Sequence, residues 1–324
     1  MNRRTFFRTG AAGVLTTAGL LGAKSGHAAQ AEPRKVDLLP RRTLGRTGLK
    51  LSIIGLGGMT IAQETPAETR SLVSEAFEAG VNYFDVAPSY ADAEDLLGPA
   101  LEPYRLRVHL ACKTTKRDKA GARQELETSL RKLRTDYLDL YQFHALSTPA
   151  EVEAILGPNG ALETFVAAKQ EGKVRFIGFS AHSEEAALLA LSGFAFDTIL
   201  FPINYVCIFQ GGFGPRVLQK AQELGAGILA IKAMAQAPWT QEESRTGCPK
   251  CWYRPVYDPE EQALALRFTL SQPVTAAVPP GDKTLFRRAL ALAKNFHPLT
   301  EAETADVARR ASAHRPLFRA AESP

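Results

Sequence analysis

The sequence predicts an α/β protein, a (β/α)8 barrel with an N-terminal hairpin and an additional C-terminal helix. Short apolar runs alternate with amphipathic segments after residue 40, which is the pattern of repeated strand–helix units around a parallel sheet. Eight strands and eight helices can be counted in this way, without an interdomain linker between them. A doubly wound sheet is the second choice, because it would need a glycine-rich phosphate fingerprint that the sequence lacks.

The predicted elements begin with a short hairpin at residues 43–49, which has glycine at its turn. The strands are predicted at 52–57, 82–87, 108–113, 138–144, 176–180, 198–204, 227–234 and 275–278. The helices are predicted near 66–79, 92–101, 119–133, 161–171, 184–192, 215–224, 259–271 and 283–294. A further polar amphipathic helix at 299–313 follows the barrel.

Helix boundaries have local support. Asp118 and Ser183 stand where N-terminal caps are expected, because their side-chain oxygens can accept hydrogen bonds from free backbone amides. Gly80, Gly172 and Gly225 stand where helices end, since glycine adopts the left-handed conformation at little cost.

Composition excludes several classes of protein. The chain has 324 residues, of which 45% are hydrophobic and 23% charged, as in ordinary globular proteins. Its net charge of +5 derives mostly from residues 1–31, which contain four basic and no acidic side chains. The remaining residues carry 35 basic and 34 acidic side chains, so we expect no nucleic-acid partner.

Residues 1–31 have the pattern of an export signal. Arg3 and Arg4 precede two phenylalanines, as in twin-arginine (Tat) signal peptides. The mildly apolar stretch 10–23 is too short to span a bilayer comfortably. Small residues before and at Ala31 suit cleavage, although cleavage a few residues earlier is an alternative.

This signal implies a domain organisation and a location. We predict a single barrel domain over residues 32–324, exported by the Tat machinery to the periplasm, or membrane-anchored if the signal is not cleaved. No stable membrane span is expected in the mature chain.

Polar residues follow three neighbouring predicted strands at their carboxyl ends, where barrels build their active sites. Asp85 and Tyr90 follow the second strand, Lys113 ends the third, and His144 ends the fourth. A phenol beside an ammonium and an imidazole suits proton delivery to a carbonyl, because the ammonium favours the phenolate and should lower the phenol pKa. We therefore predict that Asp85, Tyr90, Lys113 and His144 are catalytic.

The same region resembles the aldo-keto reductases. The likeness is carried by residues 80–98, GVNYFDVAPSYADAEDLLG, by ACKT at 111–114 and by DYLDLYQFH at 136–144. The resemblance implies an NAD(P)-dependent oxidoreductase that transfers hydride between a nicotinamide cofactor and a carbonyl or alcohol substrate such as an aldehyde, ketone or sugar. It also implies that Tyr90 is the general acid, which Lys113 and Asp85 tune, and that His144 orients the substrate.

The resemblance also implies a cofactor site. Residues expected to bind the cofactor lie on strand ends and the loops beyond them: Gly57, Gly58, Met59, Asp85, Ser180, Lys232, Gly281, Lys283 and Arg287. Basic residues near the last helix could hold a 2′-phosphate, which favours NADP with NAD as the alternative, or they could form a solvated face.

The chain departs from the family pattern at four places. At the end of the fifth strand, Ser180 matches the family, but Ala181 and His182 follow where the family usually has asparagine. The sixth strand lacks the usual glutamine, Ile231 replaces the usual stacking tyrosine, and the usual Glu-Asn pair is missing near residues 289–290. These differences leave the adenine and nicotinamide contacts to other residues.

The remaining histidines and cysteines have less specific interpretations. His109 is expected to be structural, and His182 could reach the cleft. Cys112 and Cys207 fall in apolar patterns and should be buried. The Cys248–Cys251 pair could form a local disulfide or remain as thiols. Two cysteines cannot complete a tetrahedral zinc site, and we expect no bound metal.

Two other functions remain open at this stage. The first is a nucleotide-binding regulatory subunit of the same fold with little turnover. The second is a Schiff-base lyase in which Lys113 or Lys232 is the nucleophile. Substrate identity, reaction direction, oligomeric state, and whether the cofactor is retained are not determined by the sequence.

Overall fold

The computed structural model describes residues 38–320. The predicted signal peptide lies outside this range, so its assignment stays a prediction. Among residues 38–320, no helix is both long enough and apolar enough to cross a membrane.

An antiparallel hairpin opens the described chain. Strand β1, Arg41–Thr43, pairs with β2, Lys50–Ser52, across a 3-10 turn at Gly45–Thr47. Gly48 has a φ of 73°, which explains the glycine at this turn. Leu44 and Leu51 are fully buried against Leu200 and Leu229 of the barrel interior. The predicted hairpin is present, and its buried leucines cover one end of the barrel.

Eight parallel strands form the barrel predicted from the sequence. They are β3 (Leu56–Gly57), β4 (Tyr83–Asp85), β5 (His109–Thr114), β6 (Leu138–Leu146), β7 (Val174–Ala181), β8 (Thr198–Pro202), β9 (Gly227–Ile231) and, after the hairpin described below, β12 (Ala276–Val278). The strands pair in sequence order, with β12 next to β9. A parallel bridge between Ile54 and Ala277 joins the two edges, so the sheet is nearly closed.

The helices lie between the strands and beyond the last one. They are α1 (Gly58–Ile61), α2 (Pro66–Glu78), α3 (Ala93–Leu101), α4 (Lys119–Lys132), α5 (Pro149–Leu156), α6 (Ala161–Gln170), α7 (Glu184–Gly193), α8 (Tyr205–Gly211), α9 (Pro215–Glu223), α10 (Pro259–Ser271), α11 (Lys283–Lys294) and α12 (Glu301–Ala311). A 3-10 segment, Glu102–Arg107, follows α3.

The predicted caps are present. The Asp118 side chain accepts from the Gly121 amide, and the Ser183 hydroxyl accepts from the Ala186 amide. Gly80, Gly172 and Gly225 have φ values of 97°, 77° and 66° just after α2, α6 and α9. These helix ends are therefore determined by local chemistry.

Short elements differ from the prediction. Helix α5 was not predicted, although Thr148 forms a capping box with Glu151 and Pro149 begins the helix. Strands β10 (Ala235–Pro238) and β11 (Tyr253–Pro255) form an antiparallel hairpin within the long segment after β9. Sequence analysis predicted no helix or strand between residues 235 and 258. Elements this short carry too little periodicity to be predicted.

Alternation along the strands determines which side chains enter the barrel. Tyr83, Ala111 and Leu140 are fully buried in the interior cluster. Because side chains two positions apart share a face, Asp85, Lys113 and Gln142 point into the same interior, closer to the carboxyl ends.

Candidate active site

A cavity of about 300 Å³ lies at the carboxyl ends of the strands. Asp85, Tyr90, Lys113 and His144, the four predicted catalytic residues, all line this cavity. They come from β4, from the loop after it, and from β5 and β6. The structure therefore brings together residues that are up to 59 positions apart in the chain.

Asp85 and Lys113 form a buried ion pair. The Lys113 ammonium also donates to the Val86 carbonyl at 3.1 Å. Burial opposes the charge on Lys113, but the Asp85 carboxylate and the Tyr90 phenol outweigh burial and raise the lysine pKa. Lys113 is therefore a cation at neutral pH.

The Tyr90 ring lies beside this ion pair, with the Lys113 Nζ 5.1 Å from the ring centroid. Burial raises the pKa of Tyr90, Lys113 lowers it, and Asp85 raises it. The ammonium lowers the phenol pKa as expected, but the net direction is upward. Desolvation of the phenolate outweighs the attraction of the ammonium. Tyr90 is therefore protonated and able to donate a proton.

His144 lies against Tyr90, with ring centroids 5.5 Å apart in an edge arrangement. Its Nδ1 is 3.2 Å from the Ser89 hydroxyl. Burial, assisted by the nearby cation Lys113, lowers the pKa of His144 to about 3. The imidazole is therefore neutral, and it can donate one hydrogen bond into the cavity if Ser89 donates to Nδ1.

Two residues of this site were missed by sequence analysis. The Gln142 amide donates to Asp85 Oδ2 at 3.2 Å, and the Tyr83 hydroxyl donates to the same oxygen at 2.9 Å. Gln142 precedes His144 by two positions, and Tyr83 precedes Asp85 by two. Strand alternation was the available signal, because residues two apart face the same side. Both side chains hold the Asp85 carboxylate in place.

Most of the predicted cofactor residues border the cavity. Gly57, Gly58, Met59, Asp85, Ser180, Lys232 and Gly281 all line it. A Cβ on Gly58 would lie 2.9 Å from Val86 Cγ2 and 3.1 Å from Tyr90 Cδ2, so glycine at this position lets both side chains pack directly against the backbone. The Ser180 hydroxyl accepts from the Ala145 amide at 2.7 Å and thereby positions the end of β6.

Lys283 and Arg287 are placed differently. Neither lines the cavity, and both are paired with carboxylates. Lys283 lies 2.5 Å from Glu64 and 3.3 Å from Glu68, whereas Arg287 makes a bidentate pair with Glu75. A 2′-phosphate would have to compete with these acids, and the role of both residues stays a prediction.

The β10–β11 hairpin covers one side of the cavity. Lys250, Cys251, Trp252 and Tyr253 of this segment line the cavity wall. Cys248 and Cys251 form a disulfide, which was one of the two states left open. Lys250 is anchored to Glu64 at 2.6 Å, and the Trp239 indole donates to the Cys251 carbonyl at 2.8 Å.

The other histidines and cysteines agree with their predicted environments. His109 lies 3.3 Å from Asp139, away from the cavity, and is structural. His182 lines the cavity, and burial lowers its pKa to about 4. Cys112 and Cys207 are buried free thiols. In the part of the chain that the structure describes, no group of acidic, histidine and cysteine side chains could hold a metal ion.

The eight-stranded barrel is nearly closed, and a buried Asp–Lys pair, a tyrosine and a neutral histidine lie together at its carboxyl end. Such a site at this end of the strands is typical of barrel enzymes. The aldo/keto reductase family model matches residues 53–252, well over half of the chain. The chain belongs to the aldo/keto reductase family, as the sequence motifs indicated.

Two curated relatives and one solved structure illustrate this similarity. An uncharacterised oxidoreductase of Bacillus subtilis is 32% identical over 43% of this chain and 48% of its own length. An L-galactose dehydrogenase of Arabidopsis thaliana is 32% identical over 45% of this chain and 49% of its own length. The chain thus matches about half the length of these relatives.

One structural neighbour is an aldo-keto reductase of Bacillus halodurans in its holo form, with a TM-score of 0.66 and 24% identity. The alignment covers 84% of this chain and 96% of that one. At this identity, the similarity supports the fold.

Proposed function

We propose that this protein is an NAD(P)-dependent oxidoreductase that transfers hydride between a nicotinamide nucleotide and a carbonyl or alcohol substrate. The observation that carries the proposal is the convergence of Tyr90, Lys113, Asp85 and His144 on one cavity. Family membership places the chain among oxidoreductases that generally use nicotinamide cofactors.

Each residue of the site has a separate role in transferring a proton to the substrate. Tyr90, protonated because of its raised pKa, donates its hydroxyl proton to the carbonyl oxygen during reduction. The Lys113 ammonium then stabilises the resulting phenolate, and Asp85 keeps that ammonium charged and in place. Neutral His144 donates a hydrogen bond that orients the same oxygen.

The residues present fit a nicotinamide nucleotide. Gly57, Gly58 and Met59 line the cavity of about 300 Å³ together with Tyr90, and this cavity is the space that the nicotinamide ring would occupy. Ser180 and Gly281 line other parts of the same cavity. The bound nucleotide would supply or accept the hydride.

Phosphate recognition would come from basic residues of α11. We propose that Lys283 and Arg287 contact a 2′-phosphate after exchanging their present carboxylate partners, which makes NADP the preferred cofactor and NAD the alternative.

A sugar is a reasonable substrate class within this proposal. One curated relative is an L-galactose dehydrogenase, and Trp252 presents a ring that is 49% exposed at the cavity wall. Flat aromatic rings can pack against the apolar face of a sugar ring.

The proposal is tested by fluorescence titration of purified protein with NADPH and NADH, followed by reduction assays on a panel of aldehydes, ketones and sugars. We expect saturable nucleotide binding and reduction that depends on Tyr90. Saturable binding without turnover by any substrate would favour a regulatory subunit instead. Covalent trapping of a substrate aldehyde by borohydride at Lys113 or Lys232 would favour a lyase.

A further inference from the structure

Lys232 occupies an unusual position at the mouth of the barrel. It follows β9 directly and lines the cavity. Its φ of 67° lies in the left-handed region, which is unfavourable for a residue other than glycine. Strain of this kind persists where the surrounding structure imposes it, and it concentrates at functional sites.

The Lys232 ammonium faces aromatic rings. Its Nζ lies 5.3 Å from the Trp252 ring centroid and 5.4 Å from that of Tyr253. Both rings belong to the segment that covers the cavity. These contacts hold the cation by attraction to the ring faces, but they do not neutralise it.

The three lysines that line the cavity differ in their partners. Lys113 is paired with Asp85, and Lys250 is paired with Glu64. For Lys232, no carboxylate among residues 38–320 lies within ion-pairing distance. Removing a charge from water without a counterion is costly. A ligand with an anionic group would supply the counterion that Lys232 lacks.

The surroundings of Lys232 are electropositive. Burial, together with the charge of Lys113, lowers the pKa of Lys232 to about 8. The Lys232 charge in turn contributes to the lowered pKa values of His144 and His182. A bound anion would relieve each of these repulsions.

We propose that Lys232 binds a carboxylate of the carbonyl substrate, so that the preferred substrates are carbonyl compounds that carry an acidic group. This inference rests on the proposed function, since it names the substrate class of the same site. It differs from the expectation that Lys232 contacts the cofactor.

The neighbours of Lys232 favour the substrate over the cofactor. Trp252 and Tyr253 offer apolar surface for a carbon skeleton, and His144 is the proposed ligand of the reacting oxygen. The glycine wall proposed for the nucleotide is formed instead by residues 57–59, and Lys250 reaches that side by contacting the Thr60 carbonyl.

The test measures binding and does not require turnover. Calorimetry at pH 7 compares benzoate with benzamide, two ligands of equal size that differ in charge. We expect the wild-type protein to bind benzoate at least tenfold more tightly than benzamide. Lys232→Met should weaken benzoate binding at least tenfold and change benzamide binding less than twofold, whereas Lys232→Arg should retain the preference.

Lys220→Met is the matched control, because Lys220 lies on the outer helix α9 and pairs only weakly with Glu223, at 3.8 Å. This variant should bind both ligands as the wild type does. The kcat/KM for 4-carboxybenzaldehyde, compared with that for its methyl ester, should show the same dependence on Lys232.

Three results would overturn the inference. The first is benzoate affinity in Lys232→Met within twofold of wild type, and the second is a wild-type protein with no preference for benzoate. The third is a tenfold loss of NADPH affinity in Lys232→Met with benzoate unaffected, which would assign Lys232 to a cofactor phosphate. If no nucleotide binds while benzoate binding still depends on Lys232, the proposed function fails and the anion site stands.

Discussion

The ammonium of Lys113 is ion-paired with the carboxylate of Asp85 inside the barrel, and both side chains are almost completely buried. Gln142 and Tyr83 donate to the same carboxylate, so the pair is part of a hydrogen-bonded network. This network keeps the Lys113 ammonium next to Tyr90 in a position that is shielded from water.

Replacing Tyr90 by phenylalanine should remove the proton donor while keeping the ring. We expect the reduction rate to fall by about 10²–10⁴-fold, the usual contribution of a general acid. NADPH affinity, measured by fluorescence titration, should change less than about threefold. Activity within a factor of about two of wild type would rule out the assigned role.

Lys113→Met should lower both activity and stability. It leaves the buried Asp85 carboxylate without its counterion, which typically costs about 3–5 kcal/mol. Urea denaturation measures this loss in the free energy of unfolding. The double variant Asp85→Asn, Lys113→Met should recover part of the stability, because no buried carboxylate is then left without a counterion. It should recover no activity, because the ammonium next to Tyr90 is still missing. A double variant as unstable as Lys113→Met would contradict this account.

His144 should make the protein less stable in acid. Its pKa is about 3 in the folded state and about 6.5 when unfolded, so the unfolded chain binds more protons between these values. The contribution of neutral His144 to the free energy of unfolding is therefore complete above pH 6.5, and it is lost as the pH falls toward 3.

Denaturation at several pH values measures this dependence. His144→Gln should make it shallower by about 1.4 kcal/mol per pH unit near pH 5, which corresponds to one proton. The exposed His297, replaced in the same way, is the surface control. Equal slopes for wild type and His144→Gln would show that burial does not suppress protonation of His144.

Lys283 should determine the choice between the two nucleotides. Lys283→Gln should weaken NADPH binding about tenfold and leave NADH binding nearly unchanged, because only NADPH carries the 2′-phosphate. Conversely, Glu75→Gln frees Arg287 from its bidentate pair and should strengthen NADPH binding. Titrations with both nucleotides measure these effects. Parallel losses for NADPH and NADH in Lys283→Gln would place Lys283 elsewhere on the cofactor.

Much of the fold could be predicted because its determinants are local. The eight strands and the main helices follow from periodic apolar patterns, and the helix ends follow from residues such as Asp118, Ser183 and Gly172. The four catalytic candidates could be predicted because strand ends converge in a barrel, and because the motifs around them resemble a known family.

The sequence alone indicated that Asp85, Tyr90, Lys113 and His144 lie together, because each stands at or after the carboxyl end of a predicted barrel strand. The tertiary structure decided their electrostatic states. Whether the Tyr90 pKa moves up or down depends on the balance between burial and the distance to Lys113. The pairing of Lys283 with Glu64, 219 residues away, and the isolation of Lys232 also depend on how distant segments pack. Charge interactions and desolvation depend on separation and burial in space, and these become defined only when the barrel closes.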